Sequence, residues 1–261
     1  MIAAVPALSA AASIGPYFVW ERREDTAGWR PFTDLCDPQV LASRVDIARQ
    51  TLATMGGLPV AGIAERVVAS TVFLGLAARL VSPPLAAAVA GAAVPLPDTT
   101  RLWWRPVDGG PMPIAHDDIS AVPCTGQSVD DVAALLTATV VGDLVTPVLE
   151  VFRSRFRLSP QVLWGNVASA FGGAAAMIAD TVPGHAAGAA AVVTAMLGQG
   201  LLAGTAAMHR PDPGHERWFL VRRSCCLYYR IPGGGTCGDC VLTPEQTRRE
   251  QWRSVLARRR A

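Results

Sequence analysis

RRSCCLYYRIPGGGTCGDCV, residues 222–241, holds four of the chain's six cysteines, Cys225, Cys226, Cys237 and Cys240, in the spacing C-C-x10-C-x2-C. Cys237 and Cys240 stand three residues apart, so a single turn can aim both sulfurs at one metal, with Gly238 keeping that turn open. Cys225 and Cys226 are adjacent, and neighbouring side chains leave the backbone in divergent directions. Such a pair serves one site only if the local backbone is distorted or the target is larger than a single ion.

A two-iron, two-sulfide cluster is such a target, since each iron takes two thiolates. Structural zinc also takes four thiolates, but usually from two pairs each separated by two to four residues, and the Cys225-Cys226 half departs from that spacing. Spacing therefore favours an iron–sulfur cluster, with zinc second and a disulfide or redox dithiol third. Gly233-Gly234-Gly235 lets the loop turn back at any backbone angle. It also lets bare amides approach the sulfurs, and N–H donors on sulfur help to set a cluster's potential. Arg222, Arg223 and Arg230 flank the ligands, and positive charge there favours the reduced form.

The segment resembles the C-terminal signature of the FhuF-like ferric-siderophore reductases, which share the C-C-x10-C-x2-C spacing. Gly15-Pro16-Tyr17-Phe18 and Leu163-Trp164-Gly165-Asn166 resemble weaker landmarks of the same family. The resemblance implies that Cys225, Cys226, Cys237 and Cys240 bind a 2Fe-2S cluster. It further implies a one-electron oxidoreductase, a ferric-siderophore reductase that releases iron as Fe(II). The rival readings are a non-enzymatic iron–sulfur electron-transfer or sensor protein, and a zinc-bearing binding module. On the reductase reading, a broad cleft near the cysteines would take the ferric siderophore. Trp164, Asn166, His209, Arg222, Arg223, Tyr228 and Tyr229 are the candidates to line it. The triglycine lacks the strand–G-x-G-x-x-G–helix setting of a dinucleotide site, so a separate donor, a ferredoxin or an NAD(P)H-dependent reductase, is expected.

Working outward, Trp218-Phe219-Leu220-Val221 has strand composition and leads into the cysteines. Pro244 to Arg260 reads as a terminal helix with Trp252, Val255 and Leu256 on its apolar face. Its arginines, Arg248, Arg249, Arg253 and Arg258 to Arg260, read as a solvated basic tail. The sharper alternative is a dock for an acidic electron donor or an anionic lipid, hence peripheral membrane contact.

The chain as a whole reads as mainly α with a small β component, a helical body with a C-terminal iron–sulfur cluster loop. Its expected parts are a helical region 1–94, a Pro/Gly-rich join with short strands 95–123, a second helical region 124–215, the cluster motif 216–245 and the basic end 246–261. In the first part, a helix from Asp37-Pro38 to Met55 stops at Gly56-Gly57. A second runs from Pro59 to Leu80, and Ser82-Pro83-Pro84 restarts a third that ends near Ala93. In the join, only Leu102-Trp103-Trp104-Arg105 has strand character, and His116 beside Asp117 and Asp118 reads as a solvated loop. Beyond it, helices are expected from Ser128, from Gly142 to Phe156, from Ser159-Pro160 to Asp180, and from Gly184 to Met208.

All 23 basic residues are arginine, and the net charge of +2 is too small to argue for nucleic acid. Cysteines grouped at ligand spacing point to a reducing compartment. Cys36 and Cys124, isolated in sequence, read as small buried or loop thiols. The N-terminus has no positive n-region, so a cytoplasmic protein is expected, at most peripheral to the inner face of the membrane. Arg66 to Arg79 is too short an uncharged run to cross a bilayer. Ala186 to Met208 is long enough, but its small residues suit a buried helix.

Overall fold

A computed structural model describes residues 1–107 and 110–258. The architecture is mainly α with a small β component. Two long helices, α3 (Glu65–Ala90) and α6 (Pro160–Thr181), pack on each other as the central pair, and α1 (Val5–Ala12) and α2 (Pro38–Gly56) pack against α3. Behind them, α4 (Val129–Leu136) and α5 (Thr146–Phe156) form one continuous rod, while α7 (Ala186–Leu197) packs on α4 and α6. α8 (Glu245–Ala257) follows the cysteine segment.

Local signals set several boundaries as expected. The Asp37 carboxylate accepts the Gln39 N–H at 2.7 Å, Pro38 occupies the first turn, and Gly57 closes α2 in the left-handed region at φ 60°. Leu41, Val45 and Ala53 bury their side chains, and Val40, Ala48 and Leu52 pack partly buried on the same core. Ser128 and Asp131 form a capping box at α4, and Ser159 caps α6.

Elsewhere distant partners override local signals. Residues 60–62 form a short 3-10 turn, and α3 then runs unbroken from Glu65 through Pro83 and Pro84 to Ala90. Pro83 has no N–H to give the carbonyl of Arg79, four residues earlier. The indole N–H of Trp20 supplies that bond instead, at 3.1 Å. Arg79 itself is buried and donates to the carbonyls of Met112 (2.7 Å), Pro16 (2.8 Å) and Val19 (2.6 Å), tying α3 to the loops around it. Burial lowers its pKa to about 10, still well above neutrality. Trp20→Phe is expected to leave the Arg79 carbonyl without a donor and cost about 2 kcal/mol. The check is a lower denaturant midpoint at unchanged slope.

Gly142 does not open a helix. Thr137–Val145 is a π-helical segment joining α4 to α5, with the Thr146 hydroxyl donating to the Val141 carbonyl at 2.7 Å. The run from Ala186 to Met208 is likewise not one helix. α7 ends at Leu197, and Gly200 and Gly204, both at positive φ, turn the chain into a strand.

The expected join forms sheet with the start of the chain. β1 (Ile2–Ala3), β7 (Ser120–Pro123) and β4 (Ala93–Pro95) make an antiparallel sheet in that order. β2 (Trp20–Arg22), β6 (Ile114–His116), β5 (Leu102–Trp104) and β3 (Arg30–Pro31) make a second, with β2 parallel to β6. His116 is therefore a buried strand residue, not part of a solvated loop. Its Nδ1 lies 2.6 Å from the Asp117 carbonyl, and Asp117 itself is held by Arg23 and Trp103. Residues 108–109 of the join, and Arg259 and Arg260 of the basic end, lie outside the described residues.

By length and composition, Glu65–Ala90, Val129–Phe156 and Pro160–Thr181 are each apolar enough to cross a membrane. In the fold their most apolar windows are 72%, 50% and 72% buried against the rest of the chain.

Candidate metal centre

The cysteine segment hangs from a two-stranded hairpin. β8 (Ala206–His209) pairs antiparallel with β9 (Phe219–Arg222), in the register Met208 to Leu220 and Ala206 to Arg222. β9 lies across α6 because α6 presents small residues there. A Cβ on Gly172 would meet the Leu220 side chain at 2.5 Å, and one on Gly165 would overlap Ser224 Oγ. Gly165, Ser169 and Gly172 follow helical spacing, so they form one face along which the ligand segment lies. The Ser224 hydroxyl donates to the Gln161 carbonyl at 2.7 Å, and Ser169 donates to the Asp239 carboxylate.

A buried polar chain fixes the segment from the other side. Asn166 is fully buried and donates to the Ser70 carbonyl (2.9 Å) and to Ser70 Oγ (3.1 Å) on α3. The Ser70 hydroxyl donates to the Cys226 carbonyl at 2.7 Å. Arg222, 1% exposed, donates through Nη2 to Asn166 Oδ1 (2.7 Å) and through Nε to the Ser224 carbonyl (3.1 Å). Its backbone N–H reaches the Asp239 carbonyl at 3.1 Å. Helices α3 and α6 thus hold the two halves of the motif, one at the Cys226 carbonyl and the other at Asp239.

Within the segment, Cys226 and Cys240 are buried, while Cys225 and Cys237 are half-buried. The Sγ atoms of Cys226 and Cys237 stand 3.5 Å apart, one thiol from each half of the motif. Their contact holds the Cys226 thiol down to about 6, helped by the Tyr228 N–H and the Arg222 charge against the effect of burial, and pushes Cys237 far up. Leu227, immediately after the adjacent pair, sits in the left-handed region at φ 68°. Backbone donors reach three sulfurs, Leu227 N–H to Cys225 and Leu242 N–H to Cys240, each at 3.3 Å, and Tyr228 N–H to Cys226. These donors come from two residues beyond each cysteine and not from the triglycine. The glycines instead shape the turn, Gly233 and Gly235 taking left-handed φ of 77° and 70°. A Cβ on Gly234 would lie 3.1 Å from the Tyr228 and Ile231 carbonyl oxygens.

The donor set and its surroundings fit a thiolate cluster. Arg222 is a buried cation with no carboxylate partner among the described residues, and its Nη1 is buried without any hydrogen bond. Four thiolates on a cluster supply the negative charge that such a cation calls for. Among the described residues no three His, Cys, Asp or Glu side chains gather as they would about a single ion. Cys226 and Cys237 bring one thiol from each half of the motif together, the two halves on which a cluster with four thiolate ligands would draw. Cys36 and Cys124 are far from this arrangement in sequence, free and half-buried, with thiols pushed up by burial.

A cleft of about 530 Å³ opens beside Cys237, walled by Gly172 and Gly173 of α6, by Trp218–Leu220 and by Trp252 and Val255 of α8. None of the seven residues named from the sequence lines it. Asn166 and Arg222 are buried in the polar chain, and Trp164 packs against the core. Tyr228 and Tyr229 occupy a 3-10 turn after the first cysteine pair, with the Tyr229 hydroxyl accepting from Arg230 Nε at 3.1 Å. Arg223 is exposed, and its N–H bonds the Thr205 carbonyl. His209 lines a separate cleft on the other side of α8. The residues missed in the sequence are Ser70, Ser169 and Asp239 of the supporting frame and Trp218, Phe219 and Trp252 of the cleft. The small-residue face of α6 was the available signal.

Residues 222–242 match the family profile of the FhuF 2Fe-2S C-terminal domain. No curated protein matches the chain.

Proposed function

Starting from a chain that carries an FhuF 2Fe-2S C-terminal domain and is an iron–sulfur protein, we propose that it donates one electron to Fe(III)–siderophore complexes. A cluster with four protein thiolates supplies single-electron transfer and has no open coordination position. The observation that carries the reading is the cleft of about 530 Å³ reaching Cys237, a size suited to a small-molecule ligand. Its aromatic and glycine walls bring a bulky complex against a ligand residue, while Cys226 and Cys240 are buried.

The substrate chemistry follows from ligand hardness. Oxygen donors such as hydroxamates or catecholates hold Fe(III) far better than Fe(II), so one electron loosens the iron and the free siderophore departs. The chain's own residues bind the complex, exclude water from the buried sulfurs and place Arg222 where positive charge favours the reduced state. The electron arrives from a separate donor protein. Free thiols at ligand spacing suit a reducing compartment, and the cytoplasm is where we place the reaction.

The test is chemically reduced protein mixed anaerobically with ferric siderophores and an Fe(II) chelator. The expected result is a rate of chelate formation that saturates with complex concentration and differs between siderophores. A rate linear in concentration and indifferent to the siderophore would instead identify a general electron carrier.

A further inference from the structure

We propose that the arginine face of α8 docks an acidic electron-donor protein, on the opposite side of that helix from the Cys237 cleft; this rests on the redox reading above. α8 is a ridge between two clefts, with Trp252 in the wall of both. The second cleft, about 950 Å³, runs between α8 and the end of β8. Arg210, Arg248, Arg249 and Arg253 line it against two acids, Asp212 and Glu245. A shallower groove along Glu245, Gln246, Arg249 and Arg253 continues the same face.

The charge on this face is only partly balanced. Arg249 pairs with Glu245, and Arg210 with Glu216 at 3.0 Å. Arg253 has no ion pair among the described residues, and Arg248 meets carbonyls instead of carboxylates. Arg249 and Arg253 stand exposed along the helix, as an extended basic strip suited to a complementary acidic protein surface.

Position favours a donor. Arg248 Nη2 donates to the Cys240 carbonyl at 3.1 Å, so the face lies one hydrogen bond from a ligand residue. Its Nε is buried without a partner. An electron entering beside Cys240 and leaving beside Cys237 needs no exchange of partners at one site. The donor loses one electron, this chain gains it, and no bond is made or broken.

The experiment uses the cluster-loaded protein, the Arg249→Glu/Arg253→Glu variant, and an acidic plant-type 2Fe-2S ferredoxin as the probe. For the wild type, the second-order rate of reduction by reduced ferredoxin should fall steeply with ionic strength. The variant should be slower by roughly tenfold or more at low salt, with a flatter salt dependence. Titration calorimetry with oxidised ferredoxin should show the matching loss of affinity. Reduction by photoreduced deazaflavin, and re-oxidation by a ferric siderophore, should be unchanged, which separates this test from that of the reductase reading. Equal rates and affinities for variant and wild type would overturn the proposal. So would wild-type ferredoxin kinetics in a variant that has lost binding to phosphatidylserine vesicles, which would reassign the face to a membrane surface.

Discussion

Cys237→Ser and Cys240→Ser are each expected to abolish the 2Fe-2S absorption and the electron paramagnetic resonance signal of the reduced protein. Cys36→Ser and Cys124→Ser should leave both intact. The two sets differ in setting as well as in sequence. Cys240 is buried under the Leu242 N–H, and Cys237 faces Cys226 at 3.5 Å, whereas Cys36 and Cys124 pack singly against the core with thiols made less acidic by burial. Serine keeps the size but replaces a soft thiolate with a hydroxyl that is rarely ionised, so a cluster iron loses one of its two protein ligands. Iron and acid-labile sulfide should fall together in the Cys237 and Cys240 variants. A full spectrum in either of them, or its loss in Cys36→Ser, would overturn the ligand assignment.

How much of this site can be read from the sequence depends on how local each determinant is. Four cysteines within sixteen residues, with glycines between, are a local pattern, and the cluster segment is legible for that reason. So are the caps at Asp37, Ser128 and Ser159, because a cap and its helix are neighbours in the chain. Pro83-Pro84 looks like a break because the group that replaces the missing N–H is Trp20, far away in sequence. One of the two strands paired to β6, β2, likewise lies near the start of the chain, so His116 beside two acids looks like a loop. The residues expected to line a cleft beside the cysteines lie elsewhere for a related reason. Asn166 and Arg222 stand out as polar groups near the cysteines, yet burial with partners makes them part of the frame. Cleft-lining Trp218 and Trp252, which read as strand and helix core, give no such signal.

That frame makes the second large prediction. Asn166→Leu keeps the volume but deletes the amide that joins α3 to β9. Arg222 Nη2 loses its acceptor at 2.7 Å in surroundings that water does not reach, and Ser70 loses the Asn166 donor while keeping its own bond to the Cys226 carbonyl. Buried groups stranded in this way cost about 1–3 kcal/mol each, more for a charged one, so a loss of about 3 kcal/mol is expected. For a chain of this size that lowers Tm by roughly 6–12 °C. Ser70 also holds the Cys226 carbonyl, so the variant should lose its cluster faster to an iron chelator than the wild type. Gly165→Ala reaches the same frame by packing: its methyl would overlap Ser224 Oγ and lie 3.0 Å from Arg222 Nη2, so it should displace the segment next to Cys225 and speed cluster loss. If Asn166→Leu melts and holds iron like the wild type, the polar chain does not anchor the ligand loop, and the packing of Gly165 and Gly172 against β9 must do so alone.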